Sequence, residues 1–301
     1  MACRLPPCKP RPPRPFALPR GQWMRTANMA KGEGGSQRWA LAVEYDGRAF
    51  SGFQRQLSPA LPTVQGELEQ ALSSVGAAPI TVTVAGRTDA GVHATGQVVH
   101  FDAPKPRPAS AWLRGVNSLS SGAVAVHWAQ PVHETFHARF SAHWRRYRYW
   151  LSDGQPVRPL LRDRVTFVPG TLEAAAMHEA GQVLLGERDF SSFRAAGCQA
   201  RHGRRHLRRL RVQRVGPLVS VEVEANAFVL HMVRNIVGAL IEVGRGRGDG
   251  AWLDALRAAE DRRLAPPTAP PQGLYLEAVG YDPEFALPPA PPAMPFAAFL
   301  L

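Results

Sequence analysis

Between residues 39 and 243 the apolar residues keep changing period, and this interleaving constrains the fold more than any other feature of the 301-residue chain. Ile80, Val82 and Val84 alternate with Thr81 and Thr83, residues 146–151 alternate again, and Val219, Val221 and Val223 alternate with Ser220, Glu222 and Glu224. A period of two predicts strands. Trp39-Ala40-Leu41-Ala42-Val43-Glu44-Tyr45 is an apolar run of strand length closed by the turn signal Asp46-Gly47, and residues 97–101 read as a further strand. Between these lie helical spacings. Val64, Leu68, Ala71, Leu72 and Val75 follow Thr63 as a candidate N-cap with Glu67 in the first turn, 172–185 is helical behind Thr171, and 232–243 is a helix ended by Gly244. Strands and helices mixed with short turns in two similar halves predict an α+β fold, two antiparallel-sheet-plus-helix domains at 37–142 and 143–285.

The ends read differently. Residues 1–36 hold seven prolines and seven Lys/Arg against the single acid Glu33, so half of the net charge of +12 sits there. Proline forbids a continuous helix, and the segment reads as a disordered basic extension. It has no signal-peptide core, and its prolines argue against an amphipathic transit peptide. Met24 and Met29 are the expected starts of translation. Residues 286–301 read as a proline-rich tail. The rest of the chain is still basic, which favours a polyanionic partner over small neutral metabolites. With cysteines only at 3, 8 and 198, a disulfide scaffold and a cysteine-rich zinc site are excluded. No run of about 18 uncharged apolar residues offers a membrane span.

Four constellations carry possible chemistry. Gly86-Arg87-Thr88-Asp89-Ala90-Gly91-Val92-His93 is a glycine-punctuated loop leaving a strand, with one carboxylate beside an arginine. A turn-capping aspartate is the plain alternative, and Val92 and His93 stand where a phosphate-binding loop needs lysine and Ser/Thr. In Arg145-Arg146-Tyr147-Arg148-Tyr149-Trp150, alternation puts Tyr147 and Tyr149 on one face and Arg146, Arg148 and Trp150 on the other. Aromatics interleaved with arginines suit unpaired bases and phosphates, or simply a half-buried strand. Seven arginines lie between Arg201 and Arg214 with no acid among them, which points to a polyanion or to solvent. His202 and His206 lack the glutamate and third ligand of a zinc site. Finally, the 232–243 helix is apolar except for one stripe, His231, Arg234, Asn235, Gly238 and Glu242. An arginine set in that surface needs a carboxylate, either a functional acid or Glu242. Gly246-Arg247-Gly248-Asp249-Gly250-Ala251 follows a helix rather than a strand and reads as a loop, not a dinucleotide fingerprint.

Residues 85–94 with Gly96-Gln97-Val98-Val99-His100-Phe101 resemble the signature loop of the tRNA pseudouridine synthase A family. Phe136-His137-Ala138-Arg139-Phe140-Ser141-Ala142, residues 145–149, 184–190 and 226–238 resemble the bacterial members in the same order, so that the likeness spans roughly residues 38–282. The resemblance implies two α+β domains flanking an active-site cleft, and isomerisation of uridine to pseudouridine at positions 38, 39 and 40 of the tRNA anticodon stem-loop. It implies Asp89 as the catalytic aspartate, Arg234 as its partner, and Tyr147 as the ring stacking on the flipped uracil and a candidate for taking the C5 proton. Arg87, Arg139, Arg145 and Arg146 are the expected RNA-binding residues. It further implies a homodimer, no cofactor, no metal and no membrane; a cytoplasmic location is the accompanying expectation. Two rivals are weighed against it. A non-catalytic RNA-binding or chaperone protein has no need of Asp89 and Arg234, and a glycosidase would normally use two carboxylates where this loop offers one.

Overall fold

In the computed structural model, residues 36–56, 61–154 and 159–291 are described. The expectations for the basic extension, its start site and the end of the proline-rich tail lie outside them.

The first strand, β1 (Gln37–Tyr45), is followed by α1 (Val64–Gly76), where the Thr63 hydroxyl accepts the Gly66 N–H as the sequence predicts. Then come β2 (Thr83–Val84), β3 (His93–Ala103), α2 (Ala109–Leu119) and β4 (Val124–Pro131). The second half runs β5 (Trp144–Asp153), β6 (Thr166–Val168), α3 (Ala174–Gly181), β7 (Gly186–Asp189), β8 (Arg204–Val215) and β9 (Leu218–Ala225). It closes with α4 (Met232–Gly244), α5 (Gly250–Ala258) and β10 (Leu274–Gly280). The fold is α+β, as expected.

Among the described residues ten strands form one sheet in the order β4-β1-β3-β10-β5-β9-β8-β7, with β2 on β3 and β6 on β5. The ladders are antiparallel except β3–β10 and β5–β6. The expected boundary between 142 and 143 falls just before β5, and the sheet runs across it. At the joint, β10 pairs with β3 through Tyr275↔His93 and Leu276↔Ala94, and with β5 on its other side. This approach depends on Gly96, because a Cβ there would sit 2.0 Å from the Glu277 carbonyl oxygen. Helices α1 to α5 contribute to one core on one face of the sheet, with Leu41, Phe101, Trp112, Tyr149, Val221, Ile236 and Leu240 at its centre.

Three local readings are corrected. The alternation of 80–84 yields only a two-residue strand, because the Ile80 N–H is taken by Ser73 Oγ and the Val82 N–H by Glu69 Oε1. Helix α3 starts later than Thr171 predicts; Asp153 Oδ2 accepts the Leu172 N–H at 2.7 Å, and Arg214 holds the Leu172 carbonyl. The glycine-rich 246–251 segment is not all loop: Asp249 N-caps α5 by accepting the Trp252 N–H.

The arginine run becomes β8, and acids from other strands meet part of it. Arg209 reaches Glu222 at 3.4 Å and Arg214 grips both oxygens of Asp153 at 2.8 Å. Sequence alone showed no acid because the neutralising carboxylates come from β9 and β5.

Candidate active site

Asp89 sits on the loop between β2 and β3, and buried side chains hold that loop from beneath. The Thr88 hydroxyl lies 2.8 Å from the Tyr45 hydroxyl, and Gln97 Nε2 donates to the Gly86 carbonyl at 2.7 Å and to Tyr45 at 3.2 Å. The Thr88 carbonyl accepts the Phe53 N–H. After Asp89 the chain turns back through Gly91, whose φ of +77° is the left-handed region where a side chain is strained. The Val92 N–H closes the turn onto the Asp89 carbonyl at 3.2 Å.

From the other half of the chain, α4 points Arg234 at this loop. Its Nη1 donates to Asp89 Oδ2 at 3.1 Å, while Nε donates to the Ala269 carbonyl at 2.8 Å. The second bond fixes the direction of the first, as a planar guanidinium allows. Glu242, the other partner weighed, is occupied by Arg245 and Arg247. The pair spans 145 residues in sequence.

A further group touches the carboxylate that the sequence placed on the polar stripe without a role. His231 Nε2 lies 3.4 Å from Asp89 Oδ2. His231 precedes α4 in the left-handed conformation, φ 59°, unusual for a residue with a side chain. Burial pulls its pKa below the ordinary histidine value, and Arg234 adds to the effect against the pull of Asp89. Its position one turn before Arg234 was the available signal.

Tyr147 lies on β5, buried on the core side of the sheet, and Tyr149 shares its face as alternation predicts. Its ring meets Phe228 edge-on at 5.0 Å and 84°. A Cβ on Gly86 would lie 3.6 Å from the Tyr147 hydroxyl, so the backbone entering the Asp89 loop passes beside the phenol. Burial raises the Tyr147 pKa well above the usual tyrosine range, and the nearby charge of Asp89 pushes the same way.

These groups line one cleft of about 720 Å³, with walls from both halves: Val82, Arg87 and Asp89 on one side, Phe228, His231 and Arg234 on the other. The volume is ample for a nucleoside. Arg87 and Arg139 are exposed at this cleft. Arg145 is buried and donates to the carbonyls of Ala85, Arg139, Ala142 and Asn226, tying the loop before Asp89 to both halves. Arg146 lies on the opposite sheet face, paired with Glu224 at 2.7 Å. The structure thus brings Asp89, Arg234, Tyr147, Arg87 and Arg139 together, with Arg145 as a tie and Arg146 elsewhere. Among the described residues no group of three or more His, Cys, Asp or Glu is placed to hold a metal ion, and no helix is long and apolar enough to cross a membrane.

Asp89, gripped by Arg234, thus lines a cleft whose walls carry basic and aromatic side chains from both halves of one α+β sheet. The chain belongs to the tRNA pseudouridine synthase family, whose model matches residues 41–141 and 180–282. It is 51% identical over 252 residues to the tRNA pseudouridine synthase A of Xanthomonas euvesicatoria, an alignment covering 83% of this chain and 98% of that protein. It is 52% identical to that of Dechloromonas aromatica, over 83% of this chain and 95% of the relative. Among solved structures, a protein of unknown function from Galdieria sulphuraria aligns with 70% of this chain and 93% of its own at TM-score 0.20 and 8% identity, too slight a likeness to bear on the fold.

Proposed function

We propose that the protein isomerises uridine to pseudouridine in the tRNA anticodon stem-loop, at positions 38, 39 and 40, with Asp89 as nucleophile. The observation that carries this is the Asp89–Arg234 pair, two residues that an RNA-binding role does not require, joined at 3.1 Å within the cleft. The target base must leave the helical stack to reach Asp89. The carboxylate acts on the nucleoside, the N1–C1′ bond breaks, the base rotates, and C5 bonds to C1′. The C5 hydrogen departs as a proton and N1 takes one up, so atoms balance and no oxidant or cofactor enters.

Each side chain has a task in that sequence. Arg234 pairs with the carboxylate at 3.1 Å and holds it in position. His231, whose protonation burial disfavours, adds a polar contact to the same carboxylate oxygen. Tyr147 supplies a wall on which the uracil stacks, and its hydroxyl is the candidate carrier of the C5 proton. Arg87 and Arg139 bind phosphate. Arg145 supports the loop from within. The protein works as a homodimer in the cytoplasm, a reading supported by its family resemblance.

The test is release of tritium from tRNA labelled at uridine C5, comparing the wild type with Asp89→Asn and mapping the product positions. Release by the wild type alone, with pseudouridine in the anticodon arm and tRNA binding intact in the variant, is expected. Full turnover by Asp89→Asn would refute the nucleophile.

A further inference from the structure

Phe140 is 77% exposed at the rim of the cleft that holds Asp89 and Tyr147. A phenylalanine with no core to join exposes apolar surface to water without return, so what holds it there matters. The turn beneath it is tightly bonded. The Ser141 N–H donates to the His137 carbonyl at 2.9 Å, and the His137 N–H donates to Ser141 Oγ at 3.0 Å. His137 Nδ1 accepts the backbone N–H groups of both Arg139 and Phe140 at 3.1 Å. The imidazole is thereby fixed under the phenyl ring, with centroids 4.3 Å apart and planes at 28°. His137 in turn leans on His100 at 4.8 Å, and the buried His100 accepts the Ala138 N–H at 3.0 Å. Three rings therefore climb from β3 to the mouth of the cleft. The Arg139 guanidinium lies 5.6 Å from the Phe140 centroid.

We propose that Phe140 is a stacking platform for a nucleobase adjacent to the target uridine. Flipping the target unstacks its neighbour, and a rigid aromatic face offers that base a replacement contact. Arg139 beside the ring supplies the positive charge that the attached phosphate needs. The platform is sequence-tolerant, since every base has a π-face, which suits an enzyme serving several adjacent positions. The inference rests on the reading of the site as an RNA uridine isomerase and adds a subsite to it.

The experiment uses the full chain and an anticodon stem-loop RNA carrying 2-aminopurine beside the target, bound to Asp89→Asn so that nothing turns over. Quenching on binding is expected, and its loss when Phe140→Ala is added. In the active background, Phe140→Ala raises the KM for tritium release roughly 5- to 150-fold, the range that stacking losses produce, and Phe140→Trp restores it. The side chain is largely in water, so these variants fold. Unchanged quenching and KM in Phe140→Ala, or a change confined to oligomeric state in sedimentation, overturns the platform. If the wild type releases no tritium yet quenching depends on Phe140, the catalytic reading falls and the platform stands.

Discussion

Removing Arg234 separates a pairing role from a merely structural one. Unit charges 3.1 Å apart attract by about 1.3 kcal/mol in bulk water and about 5 kcal/mol at an effective dielectric constant of about 20. The Asp89 side chain is 28% exposed and that of Arg234 13%, so screening places the coupling between these bounds, at about 2 kcal/mol. Arg234→Ala also forfeits the Nε bond to the Ala269 carbonyl, a charged hydrogen bond of about 1.5–3 kcal/mol, for a total near 4 kcal/mol. A double-mutant cycle with Asp89→Asn, read by urea unfolding, isolates the first contribution from the second. Tritium release reads the catalytic consequence: a loss of about 2.7 kcal/mol in transition-state stabilisation is about a hundredfold in rate, and Arg234→Ala should lose at least that. Arg234→Lys keeps the charge but cannot hold Ala269 and Asp89 in one planar fork, so it recovers stability better than rate. Coupling below about 0.5 kcal/mol with undiminished turnover would refute the reasoning and assign the pairing to another basic group.

Tyr147→Phe keeps the ring and its edge contact with Phe228, so tRNA affinity in a filter-binding assay should stay within about threefold while kcat falls at least tenfold; an unchanged kcat removes the phenol from proton transfer. His231→Gly relieves the left-handed backbone, which should raise stability by about 0.5–1 kcal/mol while the lost contact to Asp89 slows tritium release; no change in either measurement would refute both roles. Acidification should destabilise the fold through His100, whose pKa burial and Arg38 push down from 6.5 to about 4. As pH falls from 6.5 towards 4 the unfolded chain takes up a proton that the folded one refuses, so the contribution of His100 is lost across that window and is constant below it. His100→Gln should flatten part of the slope of urea midpoint against pH; His93, His137 and His231, and at lower pH Asp46, Asp102 and Asp153, are lowered too and contribute in the same direction.

How much was legible followed the range of the interaction. The Thr63 cap, the 232–243 helix and the two faces of β5 depend on residues a few positions apart, and the structure has them as the sequence predicts. Local pattern misled where a distant side chain intervened. Ile80–Val84 alternates well enough for a strand, but α1 had already taken two of its backbone donors. Arg145 and Arg146 read alike as RNA contacts, yet the fold buries one among carbonyls and pairs the other with a glutamate on the far face.

Residue chemistry settled by itself that this chain mixes strands with helices, carries excess positive charge and presents one aspartate in a glycine-edged loop. Periodicity and composition are properties of neighbours, and neighbours are written in order. Which arginine meets Asp89, that His231 shares the carboxylate, and that Phe140 is propped at the rim by His137 over His100 of β3 were decided only by the tertiary structure. A β10 carbonyl that a Cβ on Gly96 would meet at 2.0 Å, and an arginine held by Ala269 145 residues beyond the loop it serves, are contacts between segments whose separation no local pattern encodes.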